Sequence, residues 1–202
     1  MDNLVVVRGG GDIATGTIYK LARCGFHVLV LEIAHPSAIR RNVAYSEAVY
    51  DGHKEVEGIE CVLIHLLNEL ESVFKENKIA MMVDPEGSSI DILKPEIVID
   101  AILAKKNMGT SRNMAPITIG LGPGFNAGKD VDIVAYPFTE MERVIEGVDV
   151  ALLGPQVGYQ LARAKEICDP KGVPVDVIPM QDYGMCNGMN VLKFAYKLAK
   201  NK

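Results

Sequence analysis

The stretch VVVRGGGDIATG carries Gly9, Gly11 and Ala14 in the order GxGxxA, directly after an apolar run and at the opening of a helical pattern. Glycines at such a turn let the backbone approach a pyrophosphate, whose charge sits on free N–H groups at the helix N-terminus. Glu32 closes the next apolar run, HVLVLE, about twenty residues after Gly11, where a carboxylate accepts hydrogen bonds from a ribose diol. The chemistry implied is the binding of a nucleotide or dinucleotide. Two features pull the other way. Asp12 stands where a phosphate would arrive and repels it, and glycine-rich strand-to-helix turns also occur simply as tight turns.

Further along, HPSAIRRNVAYSEAVYDG offers Arg40 and Arg41, whose planar forks clamp phosphate or carboxylate; the alternative is a solvated basic turn. His35 reads as a surface residue. Asp84 in VDPEGSS and Asp100 in VIDAILAKKNMGT each end an apolar run, where the sites of open α/β sheets gather, and Lys105 and Lys106 are expected one short helix later. No His or Cys completes a transition-metal set with them, and no metal ligand is assigned. The loop of ITIGLGPGFNAG, with Gly122, Gly124 and Gly128, is a second place for close backbone approach to a ligand, or again a tight turn.

Elements able to hold these residues are legible as short apolar, β-rich runs at 4–7, 27–31, 79–83, 97–99, 117–121, 131–134, 148–153 and 173–178, alternating with helical patterns. In IATGTIYKLARCG the apolar face is read as Ile13, Ile18, Leu21 and Ala22, with Gly25 as the cap. Strand, helix, strand at this spacing predicts an α/β fold with an open, mostly parallel sheet and flanking helices, Rossmann-like in its first part. The 202 residues, about half of them apolar, suffice for one large or two small domains. A net charge of −5 without blocks of like charge argues against nucleic acid as partner. No apolar run reaches the roughly 20 residues of a membrane helix. Cys24, Cys61, Cys168 and Cys186 lack CxxC spacing, and the N-terminal residues lack a signal-peptide pattern, so the reducing cytoplasm is expected.

Taken in order, RGGGDIATG, VLVLEIAHPSAIRRNVAYSEAVYDG, MMVDPEG, VIDAILAKKNMGT and IGLGPGFNAG resemble the YqeB family of the selenium-dependent molybdenum hydroxylase system, over residues 1 to about 134. That resemblance implies an accessory or maturation role, with a molybdenum hydroxylase or its maturation proteins as partners, and supplies no catalytic residue.

From about residue 130 the chain changes character. VALLGPQVGYQL, PKGVPVDVI and DYGMCNG resemble the later part of the IIB subunit of lactose/cellobiose-class sugar phosphotransferase systems, with helices expected at 138–146, 158–168 and 188–200. This resemblance implies IIA and IIC partners, with Gly154, Pro155, Gln156 and Tyr183 near the reacting loop. It also implies a phosphoryl-accepting cysteine on a CxxGMST-like loop after the first IIB strand, and that strand and loop have no counterpart here. The expected division is 1–128, a Rossmann-type region, and 129–202, an incomplete IIB-like region, with GKDVDIVAYPF as the seam. Val131, Ile133, Val148, Ala151, Leu152, Val175 and Val177 are expected in the interior. Three functions are therefore open: an accessory protein with a nucleotide site, a phosphotransferase component inactive for want of its cysteine, or a hybrid chain without activity of its own that arose by gene fusion or a sequence-assembly join.

Overall fold

In the computed structural model, which describes residues 2–200, the chain divides into two units, one ending at Ala135 and the other starting at Tyr136. The first opens with β1 (Leu4–Arg8), α1 (Asp12–Arg23) and β2 (His27–Glu32), followed by α2 (Ala48–Asp51), β3 (His53–Val56) and β4 (Ile59–Ile64). Next come α3 (Leu70–Lys75), β5 (Ile79–Val83), α4 (Ser88–Leu93), β6 (Ile97–Asp100), β7 (Ile117–Leu121) and β8 (Ile133–Ala135). All eight strands form one sheet in the order β3-β4-β5-β2-β1-β6-β7-β8. Among the described residues, only the β3–β4 pairing is antiparallel. Leaving that hairpin aside, the order is 3-2-1-4-5-6, that of the dinucleotide-binding α/β fold, and its switch point lies between β1 and β6.

Both faces of the central strands are covered, which is why they read as unbroken apolar runs. The pleat sends Val5 and Val7 to one side, where they pack with Ala14 and Ile18 of α1, Tyr45 and Met81. Leu4 and Val6 go to the other, against Leu70 and Phe74 of α3 and Ile90 of α4. Ile13 departs from the expected apolar face and is 59% exposed. It lies roughly 140° around the helix from Ile18, so the buried face is Ala14, Thr15 and Ile18 instead. Gly25, with φ +85°, sits just past the helix and donates to the Ala22 carbonyl, as a capping glycine should.

The β3–β4 hairpin is absent from the sequence reading. Its signal is Glu57-Gly58, both with positive φ, a two-residue turn of the kind that joins antiparallel strands. No helix lies between β6 and Lys105; the segment is irregular and Lys105 and Lys106 are exposed.

The unit boundary lies beyond the expected 128, because β8 pairs with β7 through Ile119↔Ile133, Gly120↔Val134 and Leu121↔Ala135. Val131 is fully buried just outside this strand, whereas Ile133 is 44% exposed, contrary to the expected interior position. β8 is the last strand of the sheet, so one side of it has no neighbour.

The second unit contains α5 (Met141–Val144), β9 (Ala151–Leu153), α6 (Leu161–Cys168), β10 (Val175–Val177), α7 (Met180–Gly184) and α8 (Gly188–Lys200). The helix expected at 138–146 begins with a 3-10 turn, as does the one expected at 158–168. β9 and β10 pair in parallel as a sheet of two. Met141, Ile145, Leu153, Ala164, Cys168, Val173 and Val175 form the core of this unit. Val148, Ala151, Leu152 and Val177 are only half-buried, where an interior position was expected; Val148 lies before β9, and in a sheet of two each strand has one open edge.

β8 is anchored by Asp132, whose carboxylate accepts from the Thr118 backbone N–H at 2.9 Å, the Thr118 hydroxyl at 2.7 Å and Arg112 Nε at 2.7 Å. Burial raises its pKa, but the Thr118 and Arg112 donors together outweigh that and hold it below the ordinary 3.8. A depressed carboxylate contributes stability that is complete above its unfolded pKa and lost as pH falls through the folded value. Wild-type Tm should therefore drop more steeply than that of Asp132→Asn between about pH 5 and about pH 2. Equal slopes in thermal scans across that range would refute the anchoring role.

Candidate functional site

The C-terminal edge of the first sheet is organised around the turn after β1. At Gly9, φ is +91° and an added Cβ would lie 3.0 Å from the Ala101 carbonyl oxygen, so a side chain is excluded twice over. Gly10, which the GxGxxA match passes over, is the closely packed one: a Cβ there would fall 2.8 Å from Met81 Cε and 3.1 Å from Val30 Cγ1. Its carbonyl accepts from the Ser46 N–H at 2.8 Å. Gly11 caps α1 with φ −62° and ψ 176°, a conformation open to any residue, and an added Cβ would meet nothing within 4 Å. The fold thus excludes a side chain at 9, crowds one at 10 and leaves space at 11.

Glu32, at the end of β2, is brought onto this turn. Its Oε1 accepts from the Gly10 N–H at 2.8 Å and its Oε2 from the Ile33 N–H at 2.8 Å. Asp12 is answered by Arg40, with Nε 2.7 Å from Oδ2, and the guanidinium holds the carboxyl below the ordinary carboxylate range. The repulsion expected from Asp12 is offset by that charge. Thr15, missed in the sequence, donates to the Gly11 carbonyl at 2.9 Å and accepts from the Tyr45 N–H at 3.0 Å. A hydroxyl one turn into the helix was the available signal. Together these bonds fasten the loop after β2 to the glycine turn.

Arg41 is not part of this cluster. It pairs with Glu47 on its own loop, and its guanidinium carbon lies 5.4 Å from the Tyr50 ring centroid. Gly122 and Gly124 also have reasons within the fold. A Cβ on Gly122 would approach Leu103 Cδ2 to 3.2 Å, and one on Gly124 the Lys106 carbonyl carbon to 2.8 Å. Asp84 is taken up in starting α4, accepting from the Ser88 N–H, the Ser89 N–H and the Ser89 hydroxyl. No group of three His, Cys, Asp or Glu side chains placed for a metal occurs among the described residues.

Asp100 joins a buried network that the sequence reading overlooked. Arg8, 2% exposed at the end of β1, donates to the Thr110 hydroxyl at 2.5 Å and to the carbonyls of Pro85 and Met108 at 3.1 and 3.4 Å. Thr110 passes the hydrogen bond on to Asp100 Oδ2 at 2.6 Å, and Arg8 Nη1 lies 3.7 Å from the same oxygen. A depression of about 410 Å³ is lined by Arg112, Lys129 and Asp132, among others. It lies at the N-terminal ends of β7 and β8, whereas ligands of open α/β sheets sit at the carboxyl ends, beside the glycine turn.

In the second unit, Gln156 Nε2 donates to the Tyr183 hydroxyl at 3.1 Å, joining two residues singled out in the sequence. No cysteine lies on the loop directly after β9 or β10. Cys168 closes α6 and is buried, and that burial, with Asp169, raises its thiol pKa. Cys186 is exposed in a left-handed turn before α8.

The first unit is thus an open, doubly wound α/β module with a glycine turn at its switch point. Its sequence partner is identifiable: the chain is 50% identical over 131 residues, 65% of its length, to "Uncharacterized protein YqeB" of Escherichia coli K12, and spans 24% of that protein. For the second unit, the model of the lactose/cellobiose-specific IIB subunit of the PTS system matches residues 125–194. The galactose-specific EIIB component of Lactococcus lactis subsp. cremoris MG1363 is 41% identical over 76 residues, 35% of this chain and 70% of that protein. The cellobiose-specific EIIB component of Lactococcus lactis subsp. lactis IL1403 matches to the same extent. Through this region the chain belongs to the lactose/cellobiose-specific PTS IIB family. No solved structure matches the chain.

The packing around the turn separates its glycines by experiment. Gly10→Ala should lower unfolding free energy by about 1–3 kcal/mol, the usual result of overpacking, whereas Gly11→Ala should stay within about 0.5 kcal/mol of wild type. Urea titrations of the two variants measure the difference, and equal losses would contradict the assigned packing.

Proposed function

We propose that the glycine turn of the first unit binds an adenine nucleotide or dinucleotide, and that the chain acts as an accessory or maturation protein of a selenium-dependent molybdenum hydroxylase in the cytoplasm. The observation that carries the nucleotide reading is the meeting of Gly11, Glu32 and the N-terminus of α1 beside the β1/β6 switch point. Gly11 leaves room for a phosphate at the first N–H groups of α1, where the Ile13 N–H, which donates to Asp12 Oδ1 at 3.0 Å, would exchange that carboxylate for the phosphate. Glu32 would exchange its bond to the Gly10 N–H for a ribose hydroxyl, and Arg40, already beside Asp12, supplies a cation within the same turn. The maturation role rests on the similarity to YqeB, with the hydroxylase or its other maturation proteins as partners.

Thermal unfolding with millimolar ATP, ADP and NAD tests the site, since a ligand bound only to the native state at a hundredfold excess over Kd stabilises by about 2.7 kcal/mol. One or more of these nucleotides should raise Tm. Gly11→Leu should remove the increase, and without nucleotide it should lower Tm by no more than a poorer helix N-cap costs, because its Cβ meets no protein atom. Unchanged Tm with every nucleotide would leave the turn a purely structural one.

The IIB membership favours a second reading, in which the second unit contacts PTS partners such as IIA or IIC without accepting a phosphoryl group. Incubation with enzyme I, HPr, a IIA subunit and labelled phosphoenolpyruvate should leave the chain unlabelled. Label on Cys168 or Cys186 would reverse that assignment.

A further inference from the structure

Helix α8 is apolar on two opposite sides. Val191, Phe194, Ala195 and Leu198 are half-buried, while Met189, Leu192 and Tyr196, spaced i, i+3, i+7 on the other side, are 63%, 55% and 64% exposed. No residue of the helix is buried. Directly beside the exposed stripe run Lys193, Lys197 and Lys200, again at i, i+4, i+7, with Lys200 Nζ 4.4 Å from the Tyr196 ring centroid. The helix contains no acidic residue. A helix that presents apolar side chains away from its own unit has a second face to cover.

We propose that this stripe docks an acidic amphipathic helix of a partner protein, with apolar residues of the partner on Met189, Leu192 and Tyr196 and its carboxylates along the lysines. Charge complementarity selects this occupant. A second copy of α8 would set lysine against lysine with no carboxylate to answer it. An anionic bilayer would attract the three lysines but repel a chain whose net charge is −5. The i, i+3, i+7 spacing is that of a helix lying along another helix, and methionine in the stripe suits an adaptable contact.

Fluorescence anisotropy of the full chain tests this with two synthetic helical peptides that share a leucine face and carry either glutamates or lysines beside it. The glutamate peptide should bind about tenfold more tightly, the combined weight of three exposed ion pairs, and that advantage should shrink as salt is added. The triple variant Lys193→Glu, Lys197→Glu, Lys200→Glu should invert the preference. Leu192→Gln with Tyr196→Gln should abolish binding of both peptides while circular dichroism stays unchanged; should that pair fail to fold, the inverted preference of the triple variant decides. Equal affinity for the two peptides, or none for either, overturns the proposal. So does binding to phosphatidylserine vesicles without peptide binding, or concentration-dependent self-association that Leu192→Gln removes.

Discussion

The buried guanidinium of Arg8 is the interaction on which the carboxyl edge of the first sheet depends. One cation at the end of β1 is satisfied by the Thr110 hydroxyl, the Pro85 and Met108 carbonyls and the nearby Asp100 carboxylate. Apart from Asp100, which ends β6, these groups come from the segments after β5 and β6, so a single side chain fixes where two loops must lie. Its desolvation demands every one of those partners, since a buried charge left without its partner destabilises by about 3–5 kcal/mol. Gly9 is pressed against Ala101 at the same place, and the glycine turn inherits its position from this closure.

What the sequence disclosed of this arrangement follows the strength of each physical signal. β1, β2, β5 and β6 were legible because strands buried on both faces have no polar alternation to obscure them. The β3–β4 hairpin escaped because three of the four residues of His53–Val56 are polar and its turn uses Glu57 in the left-handed region, where Asn or Asp is the commoner mark. At the site, the glycines were visible as a pattern, but the distinction between Gly10, where a Cβ would crowd Met81, and Gly11, where it would meet nothing, depends on residues far apart in the chain. The same is true of Arg8 and Thr110, whose pairing spans about a hundred residues and leaves no local trace.

Two patterns overlap at β8. The IIB family match begins at residue 125 and so includes this strand, yet β8 pairs with β7 and is held to it by Asp132 and Thr118. β9 and β10 are left as a sheet of two, with both outer edges unpaired. A strand can satisfy its backbone in either setting because the ladder reads hydrogen bonds rather than side chains. The apolar demand that remains is visible in the half-buried Ala151, Leu152 and Val177.

The central place of β1 has a consequence for synthesis. As the chain is made, β1 finds one neighbour soon, in β2, but its other edge must wait until Ile97–Asp100 has been made. At translation rates of about 5–20 residues per second that interval lasts several seconds, during which Leu4 to Arg8 presents an open, apolar ladder. The nascent chain is then most vulnerable to mispairing, and the buried charge of Arg8 at the tip of that ladder would discourage a foreign strand until Asp100 and Thr110 arrive to receive it.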